Sequence, residues 1–171
     1  MKPDTAEILD SILWSLQTYV KPEIQSPFAN SVLMTVENLL RHVKIRQKLE
    51  VPLLLEDNRD LEDVLEKLRN DLRAHPQLSG ILKKELEEIQ VCLQNSQSIQ
   101  ENVPSAVSLD QRSDALRNVL DELLKALSAI RKEYSGDHTY RAGRQQIREY
   151  ISRSLQRDGQ LITPAFTGGR R

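Results

Sequence analysis

The side chains with the widest chemical repertoire are concentrated between residues 134 and 144. This stretch contains two of the four tyrosines and one of the three histidines. Arginines follow at intervals of three and four residues, within about 60° of one another on a helical wheel, and arginine pairs well with carboxylates and phosphates. The pattern predicts a site that binds an anion or an acidic segment of a partner. The residues of this predicted site are His138, Tyr140, Arg141, Arg144 and Arg148.

The place of these arginines at the start of a helix favours the anion hypothesis. A helix predicted from about Ala142 presents unpaired amide N–H groups and the positive end of its dipole in its first turn. An alternative interpretation needs no ligand: the arginines form a solvated cationic flank, and Tyr134 and Tyr140 pack as caps of the core. Charge runs are usually solvated faces. The sequence leaves both interpretations open.

A second polar group lies on an earlier predicted helix. Glu37 and Arg41 are four residues apart, which is the spacing of a surface ion pair on a helix. His42 lies at the border of an apolar stripe, where a histidine can act as a ligand or a base but more often satisfies a partner at the edge of the core. Glu37, Arg41 and His42 are therefore secondary polar candidates.

The motifs of known catalytic and metal centres are missing from the sequence. No histidine has a glutamate three residues before it, as a di-iron bundle requires, and three histidines with one cysteine are too few for a typical structural zinc site. There is no nucleophile elbow and no glycine-rich phosphate loop. Cys92, beside Ile89 and Leu93, is interpreted as structural filler. We predict no catalytic residues, no metal and no cofactor.

The composition is that of one small helical domain. The chain has 171 residues, of which 39% are hydrophobic and 29% charged, with only 4% aromatic. A single cysteine excludes an internal disulfide, and no apolar run reaches the roughly 18 residues that a membrane span needs. The first residues lack the apolar region of a secretory signal. These features predict a cytoplasmic protein without a membrane segment.

The charge is distributed unevenly along the chain. The formal net charge is −1, yet residues 131–171 carry nine basic and four acidic residues, so the balance is +5 there and −6 in the first 130 residues. Eight of those nine basic residues are arginine. An acidic body with a basic end favours binding of a protein partner and allows a homo-oligomer with complementary ends. The overall acidity and few aromatics argue against nucleic acid.

Apolar residues recur at helical spacing through most of the chain, without the alternation of strands. The predicted fold class is all-α, a single helical bundle of about six helices. The second helix, started by Ser26 and Pro27, carries an apolar stripe of Phe28, Val32, Val36, Leu39 and Val43. Ala29, Leu33 and Leu40 widen this stripe to about 140°, so we expect the helix to be central to the core.

The predicted helices begin near residues 4, 26, 57, 78, 116 and 142. Asp4 and Glu7 have the spacing of a capping box for the first helix, and Asp57 or Asn58 can cap the third, which His75 and Pro76 end. The fifth has the clearest apolar stripe, which includes Leu116 and Leu123. We expect a packed connection or a single turn at 50–55 and a long crossover between the fourth and fifth helices at 94–112.

The predicted domain organisation is a bundle over residues 1–158 and a flexible C-terminal tail over 159–171. The tail contains a small apolar group, Leu161, Ile162, Pro164 and Phe166, followed by two glycines and two arginines. Such a segment can dock on its own bundle or engage another chain as a short linear motif, and a frayed end is the simpler alternative.

The first two predicted helices resemble the start of a small bacterial all-helical family of unknown function. The resemblance rests on residues 6–23 and 28–41. Members of that family tend to be encoded near aminoglycoside-phosphotransferase-like proteins and acyl-CoA dehydrogenases. The second helix of this chain is less rich in alanine, and its C-terminal end is richer in arginine. The resemblance implies an accessory protein to a neighbouring enzyme.

Three functional hypotheses follow. The first is a non-enzymatic accessory protein that binds a partner through helix faces and its arginine-rich C-terminal region. The second is a small-molecule or enzyme site for a phosphorylated or carboxylated ligand at the junction of the fifth and sixth helices. The third is nucleic-acid binding by the C-terminal arginines, which predicts an affinity that falls steeply with salt. The lack of a complete catalytic set favours the first.

Overall fold

The computed structural model describes residues 2–98 and 105–162, and these residues form helices and short connections without a strand. The predicted all-α fold is confirmed. None of the helices in this part of the chain is long and apolar enough to cross a membrane. The helices are α1 (Thr5–Ser15), α2 (Pro27–Ala74), α3 (Leu78–Ile81), α4 (Lys83–Ser98), α5 (Ala106–Ala129), α6 (Arg131–Tyr134) and α7 (His138–Ile162), with a π-helical turn at Leu16–Val20 and a 3₁₀ turn at Lys21–Glu23 after α1.

Capping side chains start the first two helices where the sequence predicts. The Asp4 carboxylate accepts a hydrogen bond from the Glu7 amide at 2.7 Å, and Glu7 accepts one from the Asp4 amide at 2.9 Å. This reciprocal pair is a capping box, which satisfies two amides that the first turn leaves unpaired. The Ser26 hydroxyl accepts from the Ala29 amide at the start of α2. Local sequence is thus sufficient to begin both helices.

Helix α2 continues through the position where we predicted a break. Pro52 lies inside this 48-residue helix, so the predicted connection at 50–55 is wrong. A proline inside a helix removes one backbone hydrogen bond and crowds the preceding turn. Here Leu53, Asp57 and Asn58 directly after Pro52 are buried. Burial of the following turns therefore outweighs the local cost of the proline, because tertiary packing routinely overrides propensity.

The irregular segments are shorter than predicted. Helix α4 runs to Ser98 and α5 begins at Ala106, so helix occupies both ends of the predicted crossover at 94–112. The Ser105 hydroxyl caps α5 by accepting from the Ser108 amide at 3.0 Å. Helix α7 continues past the expected end near residue 158 to Ile162. Residues 163–171, which include Pro164 and Phe166 of the predicted tail, lie outside the described residues.

Backbone contacts divide the chain into two compact units. The terminal unit consists of Met1–Glu50 and Arg157–Arg171, and the central unit consists of Val51–Gln156. Helices α2 and α7 each contribute residues to both units. The sequence predicted one bundle over 1–158, because hydrophobic periodicity runs through both units without a polar linker.

The central unit contains an aliphatic core of the kind that the sequence predicts. Its buried side chains come from α2, α3, α4, α5, α7 and the residue between α3 and α4, and most of them are leucine. Complete burial of a leucine contributes about 1.5–3 kcal/mol, so this cluster accounts for the cohesion of the unit. The core residues are Leu61, Leu65, Leu68, Leu72, Leu78, Leu82, Leu86, Ile89, Leu116, Leu120, Leu123, Leu127, Tyr140, Ile147 and Tyr150.

The terminal unit buries far less apolar surface. Leu9 and Leu33 are its buried hydrophobic side chains among the described residues. Asp10 of α1 forms an ion pair with Lys44 of α2, with the Nζ atom 2.5 Å from Oδ1. The predicted core stripe on α2 is exposed, from 39% at Val36 to 79% at Phe28. Of the residues that widen the stripe, Leu33 is buried and Ala29 and Leu40 are half-buried. The expectation that the helix is central to the core is therefore wrong for the five exposed members, because periodicity shows which face is apolar but not whether another element covers it.

Candidate functional site

The five predicted anion-site residues line one cavity in the central unit. The cavity has a volume of about 690 Å³ and lies between α6, the turn after it and the start of α7. Arg131 contributes a fourth arginine, which the sequence pattern did not assign to the site. No aspartate or glutamate is among the lining residues. We call this cavity the arginine pocket; it is lined by Arg131, Ser135, His138, Tyr140, Arg141, Ala142, Arg144, Gln145 and Arg148.

A carboxylate holds the start of the helix that carries most of these residues. The Oδ1 atom of Asp137 accepts a hydrogen bond from the Tyr140 amide at 2.8 Å, which caps α7 directly before His138. This hydrogen bond is the main cause that lowers the pKa of Asp137, and nearby His75 lowers it further. A helix cap of this type fixes the first turn. The orientation of the pocket arginines therefore depends on Asp137.

His75 connects the end of α2 to this cap. Its Nε2 atom lies 3.2 Å from Oδ2 of Asp137, and its Nδ1 atom accepts a hydrogen bond from the Leu78 amide at 3.2 Å. Since Nδ1 is an acceptor, the ring proton is on Nε2 and points to Asp137. The sequence marked His75 only as the end of a helix, because a contact between residues 75 and 137 leaves no pattern in local spacing.

Tyr140 belongs to the core more than to the pocket. Only 3% of its surface is exposed, and its hydroxyl donates to the Leu127 carbonyl at 3.0 Å. Its hydroxyl is thus already engaged within the core and is not free for a ligand, and this tyrosine packs as the alternative interpretation expected. Tyr134 is half-buried against the same core, and its hydroxyl lies 3.4 Å from Oε1 of Gln77. His138 is exposed at the pocket.

The four pocket arginines have no acidic partner in the part of the chain that the structure describes. Across the described ranges 2–98 and 105–162, no carboxylate forms an ion pair with any of them. Arg144 lies 3.4 Å from the Ser128 hydroxyl, and Arg141 is 3.4 Å from the Asp137 carbonyl. Three arginines elsewhere in the unit are ion-paired: Arg112 with Glu62, Arg117 with Asp57 and Arg153 with Asp60. Arg59, Arg69 and Arg73 on α2 also lack an ion pair among the described residues, so what sets the pocket apart is that four such arginines line one cavity. The pocket therefore holds uncompensated positive charge.

A buried polar network joins three helices of the central unit and was not predicted. Oδ2 of Asp57 on α2 accepts hydrogen bonds from the Tyr150 hydroxyl at 3.1 Å and from Arg117 at 3.0 Å. Burial is the main cause that raises the pKa of Tyr150, and the charge of Asp57 adds to it. The sequence suggested Asp57 only as a helix cap. Its partners lie 60 and 93 residues away, beyond the reach of local patterns.

The secondary polar candidates lie in the terminal unit and do not line the arginine pocket. Arg41 and Glu37 form the predicted pair at 3.2 Å, but Glu37 is buried and not a surface residue. Arg41 also donates to the Asn38 side chain at 3.0 Å. His42 lines a separate groove of about 590 Å³ together with Leu39, Val43, Arg46, Asp158, Leu161 and Ile162.

Metal-ligating and nucleophilic side chains do not gather in the part of the chain that the structure describes. No three residues of the types His, Cys, Asp and Glu lie close enough there to hold an ion. Cys92 is half-buried against the core, and burial followed by the charge of Glu62 raises the pKa of its thiol. A raised pKa disfavours the reactive thiolate.

The chemistry that the arginine pocket supports is binding of an anion. Guanidinium groups make short, charge-assisted hydrogen bonds to carboxylates and phosphates. Helix α7 begins at His138 and not near Ala142, and the Asp137 carboxylate already accepts the Tyr140 amide of its first turn. The arginine side chains, and not the helix start, therefore supply the contacts to an anion. The pocket is lined by one serine and one histidine, without a carboxylate to orient that histidine as a base. Comparison of the chain with protein-family models, with curated proteins and with solved structures finds no match.

Proposed function

We propose that this protein is a non-enzymatic accessory protein that binds a protein partner by receiving an acidic or phosphorylated segment in the arginine pocket. The observation that carries the proposal is the set of four arginines around one cavity without an acidic partner among the described residues. Arg131, Arg141 and Arg148 are exposed, so water solvates their guanidinium groups in the free chain. An anionic partner would replace that water with charge-assisted hydrogen bonds to several arginines at once.

The burial of the neighbouring residues supports binding at a preformed site. Tyr140 at the base of the pocket is fixed by its hydrogen bond to Leu127, and Asp137 fixes the first turn of α7. A site with a rigid base loses less conformational entropy when its ligand binds. The resemblance of the first two helices to a family encoded near enzymes is consistent with an accessory role. We expect the protein to act in the cytoplasm, where a single cysteine stays reduced.

A small phosphorylated or carboxylated molecule is the second candidate for the pocket. The cavity of about 690 Å³ falls within the range of roughly 300–1,000 Å³ that is usual for small-ligand sites. Such a molecule and an acidic peptide share the same chemistry, namely one or more anionic groups with room for paired contacts to arginine. Binding measurements with both kinds of ligand are therefore needed to distinguish a small molecule from an acidic peptide.

Isothermal titration calorimetry on the full chain tests both candidates. The probes are inorganic phosphate, citrate, and an acidic peptide with and without a phosphoserine. Arg148→Gln removes a pocket charge, and Arg59→Gln removes the same charge from an exposed position on α2 that does not line the pocket. Loss of one charged contact should weaken peptide binding about tenfold or more in Arg148→Gln, with little change in Arg59→Gln.

The possible outcomes separate the proposals. Peptide binding that is weakened by Arg148→Gln alone supports the partner site. If phosphate or citrate binds and neither peptide does, the pocket is a site for small ligands and not for a protein partner. An equal loss in both variants would indicate unspecific attraction to the basic surface, and absence of any binding would end the proposal. A steep salt dependence with an oligonucleotide probe would favour nucleic acid instead.

A further inference from the structure

The stripe on the first half of α2 is an exposed apolar surface of the terminal unit. Its members fall within about 80° on the helix, so they form one face. Their exposed fractions run from 39% to 79%. The members of this apolar stripe are Phe28, Val32, Val36, Leu39 and Val43.

No charge interrupts this face. Between Pro27 and Val43 the charged residues are Glu37 and Arg41, which bond to each other and lie about 100° or more from the stripe. The buried Leu33 lies about 100° from the centre of the stripe, beyond the half-buried Ala29 and Leu40. On the other side, Leu39 and Val43 border the groove that also contains Leu161 and Ile162 of α7. Packing within the terminal unit thus reaches the edges of the stripe and leaves each of its five members at least 39% exposed.

The stripe is large enough to need a cover. Five side chains at these exposures present on the order of 500 Å² of apolar surface, near the upper end of the largest patches on monomers, which are roughly 300–600 Å². Each partner contributes roughly 800 Å² to a standard interface, so the stripe would form the apolar centre of an interface that also includes its flanks. An uncovered patch of this kind is typical of an association surface.

We propose that the apolar stripe packs against the same stripe of a second copy of this chain, with the two α2 helices antiparallel about a two-fold axis near Val36. The intervals of four, four, three and four residues between its members are those of a helix–helix seam. A two-fold axis requires a self-complementary surface. A charge-free stripe centred on a β-branched residue meets that requirement.

The charges beyond the stripe favour the antiparallel direction. Arg46 continues the seam one turn after Val43, and in the structure it is paired with Glu50 at 3.2 Å. A parallel dimer would place Arg46 against the Arg46 of the second copy. In the antiparallel dimer, Arg46 instead faces the start of the other α2, which follows Glu23. Opposite charges then approach each other, and like charges are separated.

Sedimentation velocity of the full chain over a wide concentration range tests the proposal. Val36→Asp places two carboxylates at the axis and should weaken the dimer roughly a hundredfold or more, because juxtaposed like charges oppose association. Met34→Asp is the matched control. Met34 lies on the same helix about 160° from Val36, and its exposure of 46% is similar to the 39% of Val36. It should leave the dimer unchanged.

Cross-linking provides an independent test that does not depend on a destabilising charge. In a Cys92→Ser background, Val36→Cys should form a disulfide-linked dimer under mild oxidation, since a disulfide requires the two Cα atoms to lie within about 7 Å. Met34→Cys should remain monomeric. Circular dichroism spectra that match the parent chain confirm that each variant has kept its helices.

Several results would overturn the proposal. A wild-type chain that stays monomeric at all concentrations would do so, as would a dimer that Val36→Asp and Met34→Asp weaken equally. Dimerisation that appears only after removal of residues 163–171 would assign the stripe to that segment of the same chain. Equal cross-linking at positions 34 and 36 would place the contact elsewhere. Because none of these measurements uses the arginine pocket, their outcome is independent of anion binding.

Discussion

The Nε2 atom of His75 lies 3.2 Å from the Oδ2 atom of Asp137, so the residue that follows α2 bonds to the residue that caps α7. The other oxygen of Asp137 accepts the Tyr140 amide. One carboxylate thus joins two helices and starts the one that carries three pocket arginines. The geometry of the arginine pocket depends on this link between residues far apart in sequence.

Loss of the Asp137 carboxylate should therefore destabilise the central unit. Asp137→Ala removes both the cap and the contact with His75, and we expect its midpoint of thermal unfolding to fall by a few degrees. Asp137→Asn keeps an acceptor for the Tyr140 amide and should lose less, because asparagine is also a good cap. Asp114→Ala, an exposed position on α5, is the control. Equal midpoints for Asp137→Ala and Asp114→Ala would contradict this role.

The same carboxylate should make stability depend on acid pH. The pKa of Asp137 is lowered in the folded chain, first by the Tyr140 amide. A lowered pKa means that the stabilisation is complete above the ordinary carboxyl pKa and is lost as the pH falls through the lowered value. Thermal unfolding of wild type and Asp137→Asn across this acid range should therefore converge at low pH. A constant difference between the two would rule out the contribution of the charge.

The hydrogen bond of Tyr150 to Asp57 should make loss of the Tyr150 hydroxyl more costly for stability than loss of the hydroxyl of an exposed tyrosine. Tyr150→Phe removes the 3.1 Å hydrogen bond to Asp57 and should lower the free energy of unfolding by about 1 kcal/mol. Tyr19→Phe, at an exposed position in the π-helical turn, should change it little. Urea denaturation of both variants measures the difference. If Tyr19→Phe cost as much as Tyr150→Phe, the network would have no special role.

A larger side chain should have opposite effects on stability at two glycines of α7. A Cβ atom at Gly143 would lie 3.3 Å from Cδ2 of Leu68, so Gly143→Val should overpack the core and cost about 1–3 kcal/mol. A Cβ atom at Gly159 meets nothing within 4 Å, and Gly159→Ala should stabilise by up to about 1 kcal/mol through helix propensity. Denaturation curves provide the test. A stabilising Gly143→Val would show that α7 can move away from Leu68.

Cys92 should react slowly with thiol reagents in the folded chain. Burial raises the pKa of its thiol, and the charge of Glu62 raises it further. The thiolate fraction at neutral pH is therefore smaller than that of an ordinary cysteine, and the rate should continue to rise with pH above the ordinary thiol range. Absorbance of released thionitrobenzoate measures the rate in buffer and in urea. A folded chain that reacts as fast as the unfolded chain would contradict this expectation.

Local sequence was sufficient for much of the fold. The capping box of Asp4 and Glu7 and the cap at Ser26 were predicted from residues three positions apart, and both are present. The apolar spacing of α5 identified the buried face of that helix, including Leu116 and Leu123. These features depend on neighbours within one or two turns, which is the range that local patterns describe.

The errors arose where local preference opposed packing. Pro52 suggested a break, but the burial of Leu53 and Asp57 keeps α2 helical through it. The stripe beginning at Phe28 suggested a core, but its face is exposed within the terminal unit. In both cases the sequence identified the local property correctly, while the outcome depended on what lies opposite.

The sequence by itself determined that the chain is helical, where several helices begin and which arginines share a side of α7. Those properties follow from backbone preference and periodicity over a few residues. Only the tertiary structure decided that Arg131 joins these arginines, that Tyr140 turns its hydroxyl to Leu127, and that His75 reaches Asp137. Contacts between distant residues depend on how helices pack, and packing is set by the summed burial of many side chains.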